Sequence, residues 1–202
     1  MAHSVEVYAD VGCPFAYVGL TRLFAERDRR QARIPITVRA WPLEYVNGQP
    51  LDPHHIIAEV DDIRAQVAPD LFAGARADTF PPSSLPAFAL TSAAYADSQA
   101  AGEAVAMEVR RAVFERGLDA SDPDVLASIA AAHGLTVPTD TAAVDVEYEG
   151  GRQRGVVGSP HIFVDEYSVF CPTLKIAKQD DGHFQVDLDP ASIERLMARI
   201  FD

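Results

Sequence analysis

The chain has 202 residues, of which 48% are hydrophobic and 23% are charged. This is the composition of an ordinary globular protein, and the length fits one domain with a large insertion or two closely packed lobes. Its 30 acidic and 17 basic residues give a net charge of −13, which opposes binding to nucleic acid or to an anionic membrane surface. We therefore expect neither nucleic acid nor a membrane as a partner.

The first residues, "MAHSVEVYAD", contain no basic n-region and no apolar h-region, so we expect a cytoplasmic protein rather than a secreted one. The longest uncharged stretch, residues 79–96, holds three prolines and is unsuited to a membrane span. Two cysteines are too few for a disulfide framework, and the spacing of cysteine and histidine matches no zinc site. We therefore expect reduced thiols and no metal.

The chain opens with a strand, a helix and a second strand. Apolar and polar residues alternate in "SVEVYAD" (residues 4–10) and in "PITVRAW" (residues 35–41), as is typical of half-buried strands. Between them, the segment from Pro14 to about Arg30 has helical periodicity. A strand, helix and strand in this order predict two parallel neighbours joined by a right-handed crossover.

Residues 52–152 are predicted to form an all-helical block. Asp52 before Pro53 and Asp122 before Pro123 are typical of helix starts, while Gly117 and Gly134 are typical of helix ends. The predicted helical segments are "LDPHHIIAEVDDIRAQV", "SSLPAFALTSAAYADSQ", "AAGEAVAMEVRRAVFERG" and "SDPDVLASIAAAHG".

The last fifty residues return to strands. "HIFVDE" and "YSVF" predict two short strands with a turn near residues 165–167, "GHFQVDL" predicts another strand, and "DPASIERLMARIF" predicts a final amphipathic helix. Neither β-rich end has enough strands to bury its own apolar faces, so the two ends should share one sheet. The sequence thus predicts an α/β domain (residues 1–51 and 153–202) interrupted by a helical domain (residues 52–152).

Cys13 lies where the first strand gives way to the first helix. It directly precedes Pro14, a residue favoured in the first helical turn. Unpaired backbone N–H groups and the helix dipole at such a position favour the thiolate, so we expect a lowered pKa and a solvent-accessible nucleophile. The alternative is an inert, buried cysteine. Asp10 would oppose the thiolate if ionised nearby, or would bond to the turn.

A second informative segment is "GVVGSPHIFVDE", residues 155–166. Pro160 stands immediately before a predicted strand, where it removes a ladder donor and favours a turn, for which a cis peptide bond is one solution. His161 follows it, and either stabilises a thiolate as a cation or donor, or points to solvent.

Four segments in this order resemble the DsbA-like branch of the thioredoxin superfamily: "DVGCPFAYVG", "WPLEYVNG", "SDPDVLASIAAAHGL" and "GVVGSPHIFVDE". Within that branch the chain is most similar to FrnE-like proteins, and shares features with 2-hydroxychromene-2-carboxylate isomerase and kappa-class glutathione transferases. The resemblance implies a thioredoxin-like fold with a large helical insertion. It also implies that Cys13 is the nucleophile, that Pro160 is a cis-proline, and that Ser159 supplies backbone groups to a peptide or to a glutathione-like thiol.

The active-site motif of this chain departs from that family. It runs Cys13, Pro14, Phe15, Ala16, with alanine where dithiol members have a second cysteine. Without that thiol, release of a mixed disulfide requires an external thiol. Cys171, in "VFCPT", is the sole internal alternative, or else a packed cysteine at a strand end. The isomerases and transferases that the chain resembles differ from it in another way, since they typically have serine at the position of Cys13.

Three functions follow as hypotheses. The first is a thiol–disulfide oxidoreductase that works through Cys13 on a disulfide-containing peptide or small thiol, with glutathione or another low-molecular-weight thiol completing the cycle. The second is a thiol-dependent isomerase or transferase acting on a small electrophile. The third is a non-catalytic thioredoxin-like binding module. None requires a permanently bound cofactor, and the sequence leaves a homodimer open.

Overall fold

A computed structural model describes residues 4–179 and 183–201, apart from the side chain of Lys178. The first elements are strand β1 (Val5–Ala9), helix α1 (Pro14–Arg29) and strand β2 (Ile36–Ala40). The two strands are parallel and in register from Val5 opposite Ile36 to Ala9 opposite Ala40. The predicted strand–helix–strand unit is therefore confirmed.

Six helices follow: α2 (Leu43–Asn47), α3 (Pro53–Gln66), α4 (Leu85–Asp97), α5 (Gln99–Phe114), α6 (Pro123–Ala132) and α7 (Ala142–Arg154). The predicted caps form, since the carboxylate of Asp52 accepts from the His54 amide and that of Asp122 accepts from the Asp124 amide. Gly117 and Gly134 adopt left-handed backbone conformations, with φ of +61° and +68°, which glycine reaches without steric cost.

The C-terminal part contains strands β3 (His161–Val164), β4 (Tyr167–Phe170), β5 (Leu174–Lys178) and β6 (Phe184–Leu188), and helix α8 (Pro190–Phe201). The main sheet has the order β2-β1-β3-β4, with β3 antiparallel to both β1 and β4. The two ends of the chain thus share one sheet, as predicted. β5 and β6 form a separate ribbon; β5 was not predicted, and Gly182 of the predicted last strand lies outside the described residues.

Helices of the central block close the outer edge of β2. Alternate backbone amides of this strand donate to side chains of α5, α4 and α7. The pairs are Ile36 with Glu103 (2.9 Å), Val38 with Tyr95 (2.8 Å) and Ala40 with Glu147 (2.7 Å). An unpaired strand edge invites association with other chains, so these bonds protect the sheet and tie the helices to it.

The two faces of the sheet are covered differently. On one face, Ile162 of β3 lines a cavity of about 460 Å³ together with Leu23 of α1 and Leu196 of α8. On the other, Tyr8 and Phe163 pack with Trp41 in a small aromatic cluster. The boundaries of the inserted domain stay a prediction, and α7 runs across the second of them. Within the described residues, no helix combines the length and apolarity that a membrane span requires.

Candidate functional site

The sulfur of Cys13 lies where α1 and the loop before β3 meet. Cys13 is the N-cap residue of α1, with Pro14 in the first turn and no capping hydrogen bond from its side chain. Its thiol instead donates to the backbone carbonyl of Ser159, with an Sγ–O distance of 3.4 Å. The peptide bond between Ser159 and Pro160 is cis. The structure therefore brings Cys13, Ser159 and Pro160 together.

The expectation of an accessible thiol with a lowered pKa is wrong. Cys13 is only 4% exposed, and burial raises the pKa of its thiol to about 12. The nearby polar groups of Ser159 and the Ala16 amide lower this pKa but do not compensate, and the charge of Asp10 raises it further. Loss of hydration thus raises the pKa more than the helix N-terminus lowers it, because a buried sulfur loses the water that stabilises its anion.

The loop before Cys13 packs closely against residues from later in the chain. The side chains of Leu51 and Phe80 pack against Gly12, where an added β-carbon would lie 2.7 Å from Cζ of Phe80 and 3.2 Å from Cδ1 of Leu51. Gly12 is therefore required by close approach rather than by its backbone angles. These contacts join distant parts of the chain, and packing of this kind cannot be predicted from the sequence around Cys13 alone.

Asp10 fixes the loop that carries Cys13. Its carboxylate accepts hydrogen bonds from the Gly12 amide (2.7 Å), the Leu43 amide (2.7 Å) and the Ser84 hydroxyl (2.9 Å). Its own amide donates to the hydroxyl of Ser159 (2.9 Å). The predicted role of Asp10 in the turn is confirmed. Although burial raises its pKa, the amides of Leu43 and Gly12 oppose that rise, and donors on both oxygens match an ionised carboxylate.

Arg110 of α5 supplies the opposite charge. It is completely buried and donates to the carbonyls of Ala106 (2.7 Å) and Ala9 (2.9 Å), at the end of β1. Its Nε has no hydrogen-bond partner among the described residues. Burial lowers its pKa to about 10, while Asp10 opposes this effect. Because an unpaired buried charge is costly, Arg110 and Asp10 depend on each other.

Glu59 of α3 is a second buried acid of this site. It is 9% exposed, and burial together with the charge of Asp62 raises the pKa of its carboxyl to about 7. Its negative charge in turn raises the pKa of Cys13. Asp10 and Glu59 therefore both favour the protonated thiol.

His161 does not join the site as a cation. Its Nδ1 accepts a hydrogen bond from the Val157 amide (3.2 Å), and its ring packs on Phe163 with a centroid distance of 4.5 Å. Burial and the charge of Arg154 lower its pKa, and an Nδ1 that accepts a hydrogen bond carries no proton. Since side chains alternate along a strand, His161 lies on the sheet face opposite Ile162 and α1. The ring is buried, so the alternative that it points to solvent is wrong, while a hydrogen-bond role toward a thiolate stays a prediction.

The remaining predicted residues have simpler surroundings. Pro14, Phe15 and Ala16 are all buried in the first turn of α1, and Ala16 provides a methyl group where a second thiol would otherwise stand. Cys171 follows β4, and its amide donates to the carbonyl of Pro160 (2.8 Å). Both cysteines are free thiols.

Sequence reasoning missed Arg110, Ser84 and Glu59. A signal existed for two of them. Glu59 is spaced with Ile56 and Ile63 on the buried face of α3, and Arg110 is spaced with Ala106 and Phe114 on that of α5. A charged residue on an apolar helix face implies a buried partner. Ser84, in a proline-rich connection, offered no comparable signal.

Comparison with known proteins identifies the fold. A protein from Nitrosomonas europaea described as a protein disulfide isomerase is 15% identical, with a TM-score of 0.67 over 85% of this chain and 90% of that one. The cytosolic disulfide reductase DsbM from Pseudomonas aeruginosa is 17% identical, with a TM-score of 0.61 over 98% and 93%. A 2-hydroxychromene-2-carboxylate isomerase is 18% identical, with a TM-score of 0.60 over 82% and 87%.

At these identities the structural likenesses establish the fold alone. No curated protein sequence matches the chain. The model of the DSBA-like thioredoxin domain, in contrast, matches residues 4–180, which is most of the chain and includes Cys13, the helical block and the Ser159–Pro160 loop. The chain therefore belongs to the family of DSBA-like thioredoxin domains.

Proposed function

We propose that the protein is a thiol–disulfide oxidoreductase that works through Cys13 with an external thiol. The position of the Cys13 sulfur carries this proposal, because it lies at the N-terminus of α1 and 3.4 Å from the Ser159 carbonyl. A disulfide-containing peptide that paired with the backbone of Ser159 as an added strand would present its sulfur to Cys13.

The reaction begins with a proton transfer and an attack. The Cys13 thiolate attacks one sulfur of the substrate disulfide, a mixed disulfide forms, and the other sulfur leaves as a thiolate that takes up the proton. The proton that Cys13 loses is the one that the leaving thiolate takes up, so the step needs no other proton acceptor. An external thiol, glutathione or another low-molecular-weight thiol of the cytoplasm, then releases the bound half.

The burial of Cys13 adds one requirement. A substrate can reach the sulfur only if the residues that bury Cys13 move aside. The proposal therefore includes such an opening when substrate binds.

The test is intact-mass analysis of the full chain after exposure to oxidised glutathione. We expect one glutathione adduct that maps to Cys13 and is lost in Cys13→Ser. A protein that acquires no adduct on Cys13 under native conditions, while its unfolded form does, would exclude the proposed reaction.

One observation favours a second function, a thiol-dependent isomerase or transferase. The raised pKa keeps Cys13 protonated, and a protonated thiol can donate a hydrogen bond to the thiolate of a bound cofactor, as a hydroxyl would. This function predicts that reduced glutathione or another small thiol raises the melting temperature without modifying the protein. Absence of such stabilisation across a panel of thiols would count against it.

A further inference from the structure

The cavity between α1, α8 and the main sheet, which we call the α1–α8 cavity, has the size of a ligand site. Its volume is about 460 Å³, within the range of about 300–1,000 Å³ that is typical of small-molecule sites. Ile162 lines it from β3, Leu23 from α1 and Leu196 from α8. None of the described residues that line it is Cys13 or belongs to the Ser159–Pro160 loop, so the cavity is separate from the candidate functional site.

The walls of the α1–α8 cavity are aliphatic. Helix α8 contributes Ile193 and Met197 in addition to Leu196. No aromatic ring occurs among the described residues that line the cavity, so these walls offer no stacking partner to a flat aromatic ligand. Branched and flexible side chains such as those of isoleucine and methionine adapt to an alkyl chain. Because apolar surface is favourably removed from water, the cavity favours a ligand with an aliphatic part.

The charged side chains that line the α1–α8 cavity all belong to α1. Arg22, Glu26 and Arg29 are spaced four and three residues apart, which places them on one face of the helix. The carboxylate of Glu26 accepts two hydrogen bonds of 2.7 Å from Arg29 and one of 2.6 Å from Arg30. Its charge is therefore already paired, and this face of α1 has an excess of positive charge although the chain as a whole carries −13.

Arg22 has no acidic partner among the described residues. Its Nη2 donates to the carbonyl of Val67 at 2.6 Å, which fixes the guanidinium and leaves other N–H groups able to bind a further acceptor. A carboxylate matches a guanidinium in both shape and charge. We propose that the α1–α8 cavity binds a medium-chain fatty acid, whose alkyl chain packs on the aliphatic walls and whose carboxylate pairs with Arg22. This inference does not depend on the redox chemistry of Cys13.

The test is a titration of the full-length protein with decanoate, below its critical micelle concentration, followed by nuclear magnetic resonance of carbon-13-labelled methionine methyl groups. Met197 lines the α1–α8 cavity, whereas Met107 is buried in α5 and serves as an internal control. We expect a saturable shift of the Met197 methyl signal and none of the Met107 signal. Octanoate is shorter by two methylenes and should bind about tenfold more weakly, because each buried methylene adds about fourfold to the affinity.

Substitutions of Arg22 test the assigned partner of the carboxylate. Arg22→Gln removes the charge and should weaken decanoate binding about tenfold. Arg22→Lys retains the charge and should stay within about threefold of the wild type. Arg33→Gln removes an exposed arginine that does not line the cavity, so the affinity should not change. Thermal unfolding checks that each variant is folded.

Decylammonium has the same alkyl chain with the opposite charge. It should bind the wild type at least about tenfold more weakly than decanoate, even though the acidic chain as a whole attracts cations. The inference is overturned if decanoate leaves the Met197 methyl signal unchanged, if decylammonium binds as tightly as decanoate, or if a folded Arg22→Gln keeps the affinity of the wild type. If Arg22→Gln does not fold, the comparison of the two ligands on the wild type decides.

Discussion

The reactivity of Cys13 depends on the charge of its closest acidic neighbour in sequence, Asp10. The carboxylate of Asp10 accepts bonds from Gly12 and Leu43, and its charge raises the pKa of the Cys13 thiol. One residue therefore fixes the loop that carries Cys13 and adds to the effect of burial, which keeps the sulfur protonated. An asparagine would retain the acceptor oxygen for one of these bonds and remove the charge.

We predict that Asp10→Asn lowers the pKa of Cys13 by about one unit, a shift of the size that a nearby like charge produces. The measurement is the rate at which iodoacetamide alkylates Cys13 at about pH 9 in a Cys171→Ser background, because this rate follows the thiolate fraction. The thiolate fraction, and with it the rate, should rise about tenfold. Asp70→Asn, which removes an exposed acid, should leave the rate unchanged. An unaltered rate in Asp10→Asn would show that Asp10 is uncharged in the folded protein.

Glu59 links the stability of the fold to pH. Burial raises the pKa of its carboxyl to about 7, above the value of about 4.3 in an unfolded chain. The folded state therefore retains a proton that the unfolded state has released. The stability that this proton confers is fully present below about pH 4.3 and falls as the pH rises toward 7.

We predict that Glu59→Gln flattens this dependence. The free energy of unfolding of the wild type should fall, relative to the variant, between about pH 4.3 and pH 7. Urea unfolding at several pH values measures the difference. His55 contacts Glu59 at 3.5 Å, so His55→Gln serves as a control for the contribution of the imidazole. A constant difference between wild type and Glu59→Gln across this range would contradict a raised pKa.

Among the elements, α7 packs closely against the sheet because Gly151 has no side chain at the point of contact. A β-carbon added to Gly151 would lie 2.8 Å from Cε1 of Tyr8 and 2.9 Å from Cζ3 of Trp41, while one added to Gly150 would meet nothing within 4 Å. Both rings are buried and cannot move aside freely. The two neighbouring glycines of one helix thus differ in what an alanine would encounter.

We predict opposite effects for the two alanine substitutions. Gly150→Ala should stabilise the protein by about 0.5–1 kcal/mol, because alanine loses less conformational entropy than glycine in a helix. Gly151→Ala should destabilise it by about 1–3 kcal/mol through overpacking. Urea unfolding measures both, and near-ultraviolet circular dichroism reports the Tyr8–Trp41 environment. Equal stabilisation by the two alanines would show that α7 does not pack against these rings.

The elements that could be predicted from sequence are those with local signals. Asp52 and Asp122 before proline located the starts of α3 and α6, and alternating residues located β1 and β2. Helix α7 carries no such cap, because Thr141 makes no capping bond, so the sequence indicated only a helical region there. The burial of Cys13 depends on the tertiary fold, which also brings Leu51 and Phe80 against the adjacent Gly12. Local sequence could therefore place the thiol at a helix end but could not predict that it is buried.

For the molecule as a whole, the hydrogen bonds along the outer edge of β2 join the helical block to the sheet. Tyr95 carries two of them, since its hydroxyl accepts from the Val38 amide (2.8 Å) and donates to the Ile36 carbonyl (3.0 Å). Arg110 adds a buried link from α5 to the end of β1. Two lobes joined through buried polar groups should unfold together, because separating them leaves those groups without partners.

We therefore predict a single cooperative transition in urea, with fluorescence of Trp41, which packs between the sheet and α7, coinciding with the far-ultraviolet circular dichroism of the helices. Tyr95→Phe should lower the free energy of unfolding by about 1–3 kcal/mol, because two backbone groups lose their partner, and should move both signals together. Tyr45→Phe removes an exposed hydroxyl that donates to Asp145 and should change stability by about 0.5 kcal/mol or less. If the two signals separated, in the wild type or in Tyr95→Phe, the helical block would be an independently folding domain, and its bonds to β2 would join two separate units.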